Sequence, residues 1–231
     1  MILLMQVVQV VTPAKMNLLD MAVKGGWIMI VLAIMLIGCF YILFERMYFI
    51  KKANQDDPLF MDRIKDYIHS GEIKSAVNYC QHTNTPSARM IAKGISRLGR
   101  PVADVRIAIE NVGNVEVAQL EKSLPVMATI AGGAPMLGFL GTVTGMVRSF
   151  FEMANAGTGN VDLTLLSGGI YEAMITTVGG LIVGIIALFA YNYLVMLVDR
   201  VVNKMESRTV DFMDLLNEEL QKPGDTETKE R

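Results

Sequence analysis

The chain is poor in the residues that usually build soluble catalytic or metal sites. Among 231 residues there are two cysteines and two histidines. Cys39 falls in an apolar run and Cys80 in a polar segment, so neither a disulfide framework nor a metal motif can be assembled from them. His69 and His82 have no cysteine or carboxylate at ligand spacing and read as surface or partly buried histidines. No metal and no cofactor is therefore expected. Only 19% of residues are charged and the net charge is −2, which gives no electrostatic case for nucleic-acid binding. A glycine-rich phosphate loop, a nucleophile elbow and a nucleophile–base pair are all missing, so an enzyme is the weakest reading.

What the chain has in abundance is apolar length. It is 52% hydrophobic with a mean hydropathy of +0.39, the profile of a membrane protein. The longest stretch, Gly168 to Val198, carries a single formal charge, Glu172. Thirty-one residues exceed what a hydrocarbon core of about 30 Å needs at about 1.5 Å per helical residue. Trp27 to Phe44 is an uninterrupted apolar run of 18 residues, with Trp27 and Tyr48 placed as interfacial anchors. Val126 to Val147 is the third, with Gly132, Gly133, Gly138, Gly141 and Gly145. Its step Gly141–Gly145 is GxxxG, and Gly180–Gly184 repeats the step in the last run. Such steps let another helix approach closely and suggest subunits packed against copies of themselves. Pro125 and Pro135 are tolerable there because neighbouring helices can satisfy freed carbonyls.

Residues 45 to about 122 are soluble in character and predict four helices. Asp57-Pro58 gives a start signal for the first, which ends before Gly71. Glu72 to Cys80 forms the second, with Ile73, Ala76, Val77 and Cys80 on one face. Thr85-Pro86 starts the third, which ends near Gly99. Pro101 opens a longer one, with Val105, Ile109 and Val112 at three- and four-residue spacing. Met1 to Val11 is too short to span, lacks a basic leader and predicts an interfacial helix, with Asn17 to Lys24 as a second piece. After Val198 an amphipathic stripe of Val201, Val202, Met205, Phe212, Leu215 and Leu216 continues as helix, and from Gln221 composition predicts disorder.

The expected fold is an all-α integral membrane protein: three transmembrane helices with long cytoplasmic helical extensions and a small cytoplasmic helical domain. The expected order is a periplasmic or interfacial segment over 1–24, transmembrane helices over 25–46, 123–150 and 168–198, a helical domain over 47–122, a periplasmic link over 151–167, and a helix with tail over 199–231. Segment 45–122 holds twelve Lys/Arg and the part after 198 holds six, against two before the first span and none in the link. That asymmetry places the helical domain and C-terminus in the cytoplasm and the N-terminus outside.

Within this frame Glu172 needs a reason. An acidic residue at mid-membrane costs about 2.5–3.5 kcal/mol even on insertion scales, so it faces a cavity, a partner or an ion path. Thr176 lies one turn from Glu172 on the same face and Thr177 about 140° away. With Thr142, these groups suit a proton path, since hydroxyls both donate and accept and a carboxyl can alternate between neutral and charged forms. The alternative is a helix–helix network in which the threonines bond back to their own carbonyls.

Four motifs then carry a resemblance. GGW-M at 25–29, FER at 44–46, APMLGFLGTVTGM at 134–146 and GGIYEAMITTVGGLIVGI at 168–185 resemble the ExbB/TolQ/MotA proton-channel family over most of residues 17–212. Three spans look like the ExbB/TolQ branch, since MotA-type subunits have four. The resemblance implies an inner-membrane homo-oligomer, a homopentamer, around the single spans of an ExbD-like partner, using the proton motive force to energise a TonB-like protein for outer-membrane import. It implies that Thr142, Glu172 and Thr177 line the pore and face a partner helix whose aspartate carries the proton. Thr176 is an addition to the pattern and a fourth candidate. A TolQ-like subunit working through TolR/TolA-like partners is the neighbouring alternative, and a non-conducting membrane scaffold the one from another class.

Overall fold

The computed structural model describes residues 25–55, 57–155 and 163–221. The expectations for Met1 to Lys24, for most of the link and for the tail beyond Gln221 lie outside the described residues. The described chain is all-helical, in seven helices. These are α1 (Gly26–Ala53), α2 (Phe60–His69), α3 (Ile73–Thr83), α4 (Pro86–Ile95), α5 (Val102–Glu121), α6 (Leu124–Asn155) and α7 (Leu163–Gln221). Three stretches are long and apolar enough to cross a membrane: Gly26–Ala53, Val102–Asn155 and Ser167–Glu218. The protein is an all-α membrane protein, as its hydropathy requires.

The helices outrun the apolar stretches that announce them. α6 continues to Asn155, so the connection to α7 is shorter than the apolar pattern suggests. Pro135 sits inside α6 without ending it, and Pro125 is in its first turn, where a missing N–H costs nothing. α7 takes up the last apolar run, Gly168 to Val198, and the amphipathic stripe beyond it as one helix of 59 residues, about 88 Å at 1.5 Å per residue.

Two compact units can be described. The first comprises 25–35 and 133–184; the second comprises 36–132 and 185–221. In the second, α2 to α5 form the small helical domain, and its starts and stops follow local chemistry. Thr85 is extended, accepts from Ala88 N at 3.3 Å and caps α4, with Pro86 in the first turn. Gly71 after α2 adopts φ +75°, a conformation that favours glycine. Asp57 acts one step later than its Pro58 partner suggests: its Oδ1 accepts from Leu59 N at 3.0 Å, and α2 opens at Phe60.

The core of this unit is Phe60, Ile64, Cys80, Ile91, Ile95 and Ile109, closed by Met205 and Phe212 of α7. A Cβ on Gly94 would stand 2.6 Å from the Phe212 ring and 2.7 Å from Ile109 Cδ1, so the helical domain seats on α7 through a missing side chain. Burial pushes the Cys80 thiol up to about 12, so it stays protonated. One ion pair is built into this packing. Glu116 of α5 is buried at 7% exposure and receives Arg89 of α4 in a two-bond fork, Nε–Oε1 at 2.6 Å and Nη2–Oε2 at 2.5 Å. Arg89 Nη1 also donates to the Asn84 carbonyl at 2.8 Å, at the left-handed turn between α3 and α4. The Glu116 hydrogen bonds hold the guanidinium above its ordinary range.

Arg89→Ala leaves the buried carboxylate without its fork and is expected to destabilise the unit by about 3–5 kcal/mol, whereas Arg89→Met combined with Glu116→Leu costs far less. Denaturant unfolding in detergent distinguishes the two variants; an unchanged midpoint for Arg89→Ala would remove the fork from the determinants of stability.

Candidate functional site

The site expected from the sequence lies in the first unit, where α6 and α7 approach at backbone distance. A Cβ on Gly180 would lie 2.6 Å from the Ala134 carbonyl oxygen and 2.8 Å from Gly138 Cα. A Cβ on Gly138 would lie 2.9 Å from the Thr176 carbonyl oxygen and 3.1 Å from the Cα atoms of Gly180 and Thr177. Side chains are excluded from both helices at this crossing. Gly141 and Gly145 continue the same face of α6: the first is covered by the Thr176 side chain, and a Cβ on the second would meet Ala173 Cβ at 2.9 Å. Gly184 is buried further along α7. Gly141, Gly145 and Gly180 are therefore occupied within one chain, by α6 against α7, and Gly138 belongs with them as a crossing point.

The threonines divide by environment. Thr176 is 2% exposed, donates to the Ala173 carbonyl at 2.7 Å and lies 3.5 Å from the Gly138 carbonyl oxygen. Thr177 is half-buried and donates across to the same Gly138 carbonyl at 3.0 Å. Two adjacent hydroxyls thus converge on one carbonyl of the facing helix, although they diverge by about 100° around their own. Thr142 is half-buried and donates to its own helix, to the Phe139 carbonyl at 2.6 Å. Thr144 does the same with Leu140 at 2.9 Å.

Glu172 is half-buried and turns to α1. A Cβ on Gly26 would stand 2.8 Å from Glu172 Oε1, and Gly26 has φ +66°, so both space and backbone reserve this position for glycine. Gly26 is the first residue of α1, whose first turn holds no acidic side chain. The carboxylate therefore lies by the positive end of a helix dipole, a setting that stabilises negative charge. Arg148 of α6 is ion-paired with Glu152, one turn on, at 2.9 Å. Ser149, buried at 5%, donates to Gly145 at 3.0 Å beneath Gly169. Neither Ser149 nor Gly26 stands out as a site residue in the linear pattern, though Gly26 lies in the GGW motif.

The structure thus joins Thr176 and Thr177 at Gly138, keeps Thr142 on its own helix, and puts Glu172 against the start of α1. Two hydroxyls that share the Gly138 carbonyl, with a half-buried carboxylate one turn earlier on α7, can hold water and relay hydrogen bonds. Among the described residues no group of histidine, cysteine and carboxylate side chains could hold a metal ion.

Comparison with known proteins gives the family. Residues 82–207 match the family model described as the MotA/TolQ/ExbB proton channel family. An ExbB-like biopolymer transport protein of Synechocystis is 30% identical over 89% of this chain and 78% of its own length. An ExbB homologue of Methanothermobacter thermautotrophicus is 28% identical over 82% of this chain and 67% of its own. The Tol-Pal system protein TolQ of Haemophilus influenzae is 26% identical over 87% of this chain and 92% of its own. The chain belongs to the MotA/TolQ/ExbB proton channel family.

Because Gly180 meets backbone atoms that cannot rotate away, Gly180→Ala is expected to destabilise the α6–α7 crossing by about 1–3 kcal/mol. Gly132→Ala, whose added methyl would meet nothing within 4 Å, is the control and is expected to raise stability by about 0.5–1 kcal/mol through helix propensity alone. Thermal unfolding in detergent reads both; equal behaviour of the two variants would contradict the close crossing.

Proposed function

We propose that this chain is an ExbB-like subunit of an inner-membrane proton channel that energises a TonB-like protein for outer-membrane import. It works as a homo-oligomer, a pentamer, around the single-span helices of an ExbD-like partner. Its N-terminus lies in the periplasm and its C-terminus in the cytoplasm, the orientation favoured by the distribution of Lys and Arg. The observation that carries the reading is Glu172, a half-buried carboxylate on the long apolar helix α7, within the segment that matches the family model.

The division of labour follows from the environments described above. Thr176 is sealed into the α6–α7 crossing and holds the two helices together. Thr177, Thr142 and Glu172 keep part of their surface accessible and line the path on the side of the partner helix. Glu172 lies by the start of α1, the positive end of its helix dipole, and serves as a helper in the path rather than as the sole carrier. One proton crossing 100 mV releases about 2.3 kcal/mol, and several in sequence suffice to drive a conformational cycle in a partner that reaches beyond this membrane. A TolQ-like role through TolR/TolA-like partners is the second reading, favoured by the match over 92% of the length of the Haemophilus TolQ.

The test is proton uptake by vesicles that hold the chain together with an ExbD-like single-span protein, driven by a potassium diffusion potential. Glu172→Gln keeps shape and hydrogen bonding but cannot titrate. It is expected to reduce uptake to the level of empty vesicles while the complex still co-purifies; wild-type flux in this variant would overturn the role of Glu172. Thr177→Val is expected to slow uptake and, by losing its bond to the Gly138 carbonyl, to cost about 1 kcal/mol of stability, whereas Thr176→Val is expected to lower stability without a specific effect on uptake.

A further inference from the structure

The α5–α7 part of the second unit leaves two surfaces that its own fold does not use. One is a groove of ≈ 780 Å³ between α5 and α7, whose walls include Gly113, Val117, Val202, Met205 and Val210. Val210 is 58% exposed there, although this stretch carries too many charges to be covered by hydrocarbon. The rim of the groove is acidic: Glu110, Glu206 and Asp214 stand against one cation, Arg106, already paired with Glu110 at 2.8 Å. The other surface is the opposite face of α5. Ile107 and Val115 are 56% and 57% exposed on it, beside Lys93, Arg97 and Arg100 with one carboxylate, Asp104.

At 3.6 residues per turn, the centres of these two faces of α5 lie about 150° apart around the helix axis. One chain therefore cannot cover its groove with its own ridge. A second copy can, and the charges match, since three cations edge the ridge and three carboxylates edge the groove. A contact between two different surfaces of the same chain is head-to-tail, and a head-to-tail contact whose rotation closes gives a ring.

We propose that the α5–α7 groove of each protomer receives the Ile107–Val115 face of α5, with its Lys93, Arg97 and Arg100 edge, from a second copy of this chain. The inference rests on the homo-oligomer reading and names the surfaces that make it. Apolar side chains fill the floor of the groove while the basic edge meets Glu206 and Asp214. The charge pattern sets direction, because groove against groove and ridge against ridge both bring like charges together.

The full chain in detergent tests this by cysteine cross-linking. Cys39 and Cys80 are both buried, and the Cys80 thiol is held protonated, so the native thiols stay silent under mild oxidation. Val115→Cys combined with Val210→Cys is expected to give a ladder of disulfide-linked species up to the size of the native oligomer, collapsed by reductant. Either substitution alone is expected to remain monomeric under denaturing conditions, since head-to-tail contact never brings two copies of one position together. A dimer from either single variant, or the lack of a ladder in a chain that light scattering shows to be oligomeric, overturns the surface assignment and leaves the oligomer standing. A monomeric wild-type chain overturns both. Arg97→Glu with Arg100→Glu is expected to weaken self-association by about tenfold or more at low salt, with recovery on adding Glu206→Lys and Asp214→Lys. Failure of that rescue assigns the basic edge to some other partner and overturns the charge match.

Discussion

The backbone contact between Gly138 and Gly180 sets the terms for everything around it. Helices surrounded by lipid gain little from burying apolar side chains against each other, because the lipid tails are equally apolar. Association must come from close packing and from polar groups that have no other outlet. At this crossing the facing atoms are the Ala134 carbonyl, Gly138 Cα and Gly180 Cα, so the helices come near enough for the Thr177 hydroxyl to reach a carbonyl on α6. A methyl group at either glycine would push the helices apart, and the Thr177 bond at 3.0 Å would go first. The environment of Glu172, one turn before Thr176 on α7, inherits its position from that contact.

The buried stripe of α7 shows how one helix meets two solvents. Ala173, Gly180, Ala187, Leu194 and Val201 are buried at seven-residue intervals, and Val198, Met205 and Phe212 keep the same interval one turn on. The first part of the stripe is small and the last part is large. Small residues suit the stretch where packing must bring backbones together, and large ones the stretch where burial away from water supplies the driving force. The seven-residue interval keeps the seam on one side of the helix in both regimes. Gly94 under the Phe212 ring is the reciprocal adjustment in the helical domain, where space is cleared for a bulky knob instead of for a backbone.

Much of this was legible in the linear pattern where the signal is local. Apolar length, the cap Thr85-Pro86 and the stripe Val201, Met205, Phe212 each depend on neighbours within a turn or two, and the helices follow them. Less legible was which polar groups share a partner. Arg89 and Glu116 are 27 residues apart, and Thr177 and Gly138 39 apart, so nothing in periodicity links them. Gly26 reads as part of a motif at the head of a span; its role as the clearing for the Glu172 carboxylate appears only when α1 lies beside α7.

By itself the sequence determined the class of solvent, the number of spans, the helical character of the polar segment and the one membrane carboxylate that calls for explanation. These depend on hydropathy, charge and the 3.6-residue period, which are properties of a chain and its surroundings. The tertiary structure alone decided that Gly138 and Gly180 form the crossing, that Thr176 is sealed while Thr177 stays half-open, and that Glu172 faces Gly26. Those outcomes hang on the angle and depth at which α6, α7 and the start of α1 meet. A rotation of one residue, about 100°, would exchange Thr176 for Thr177, and only the packed helices select between them.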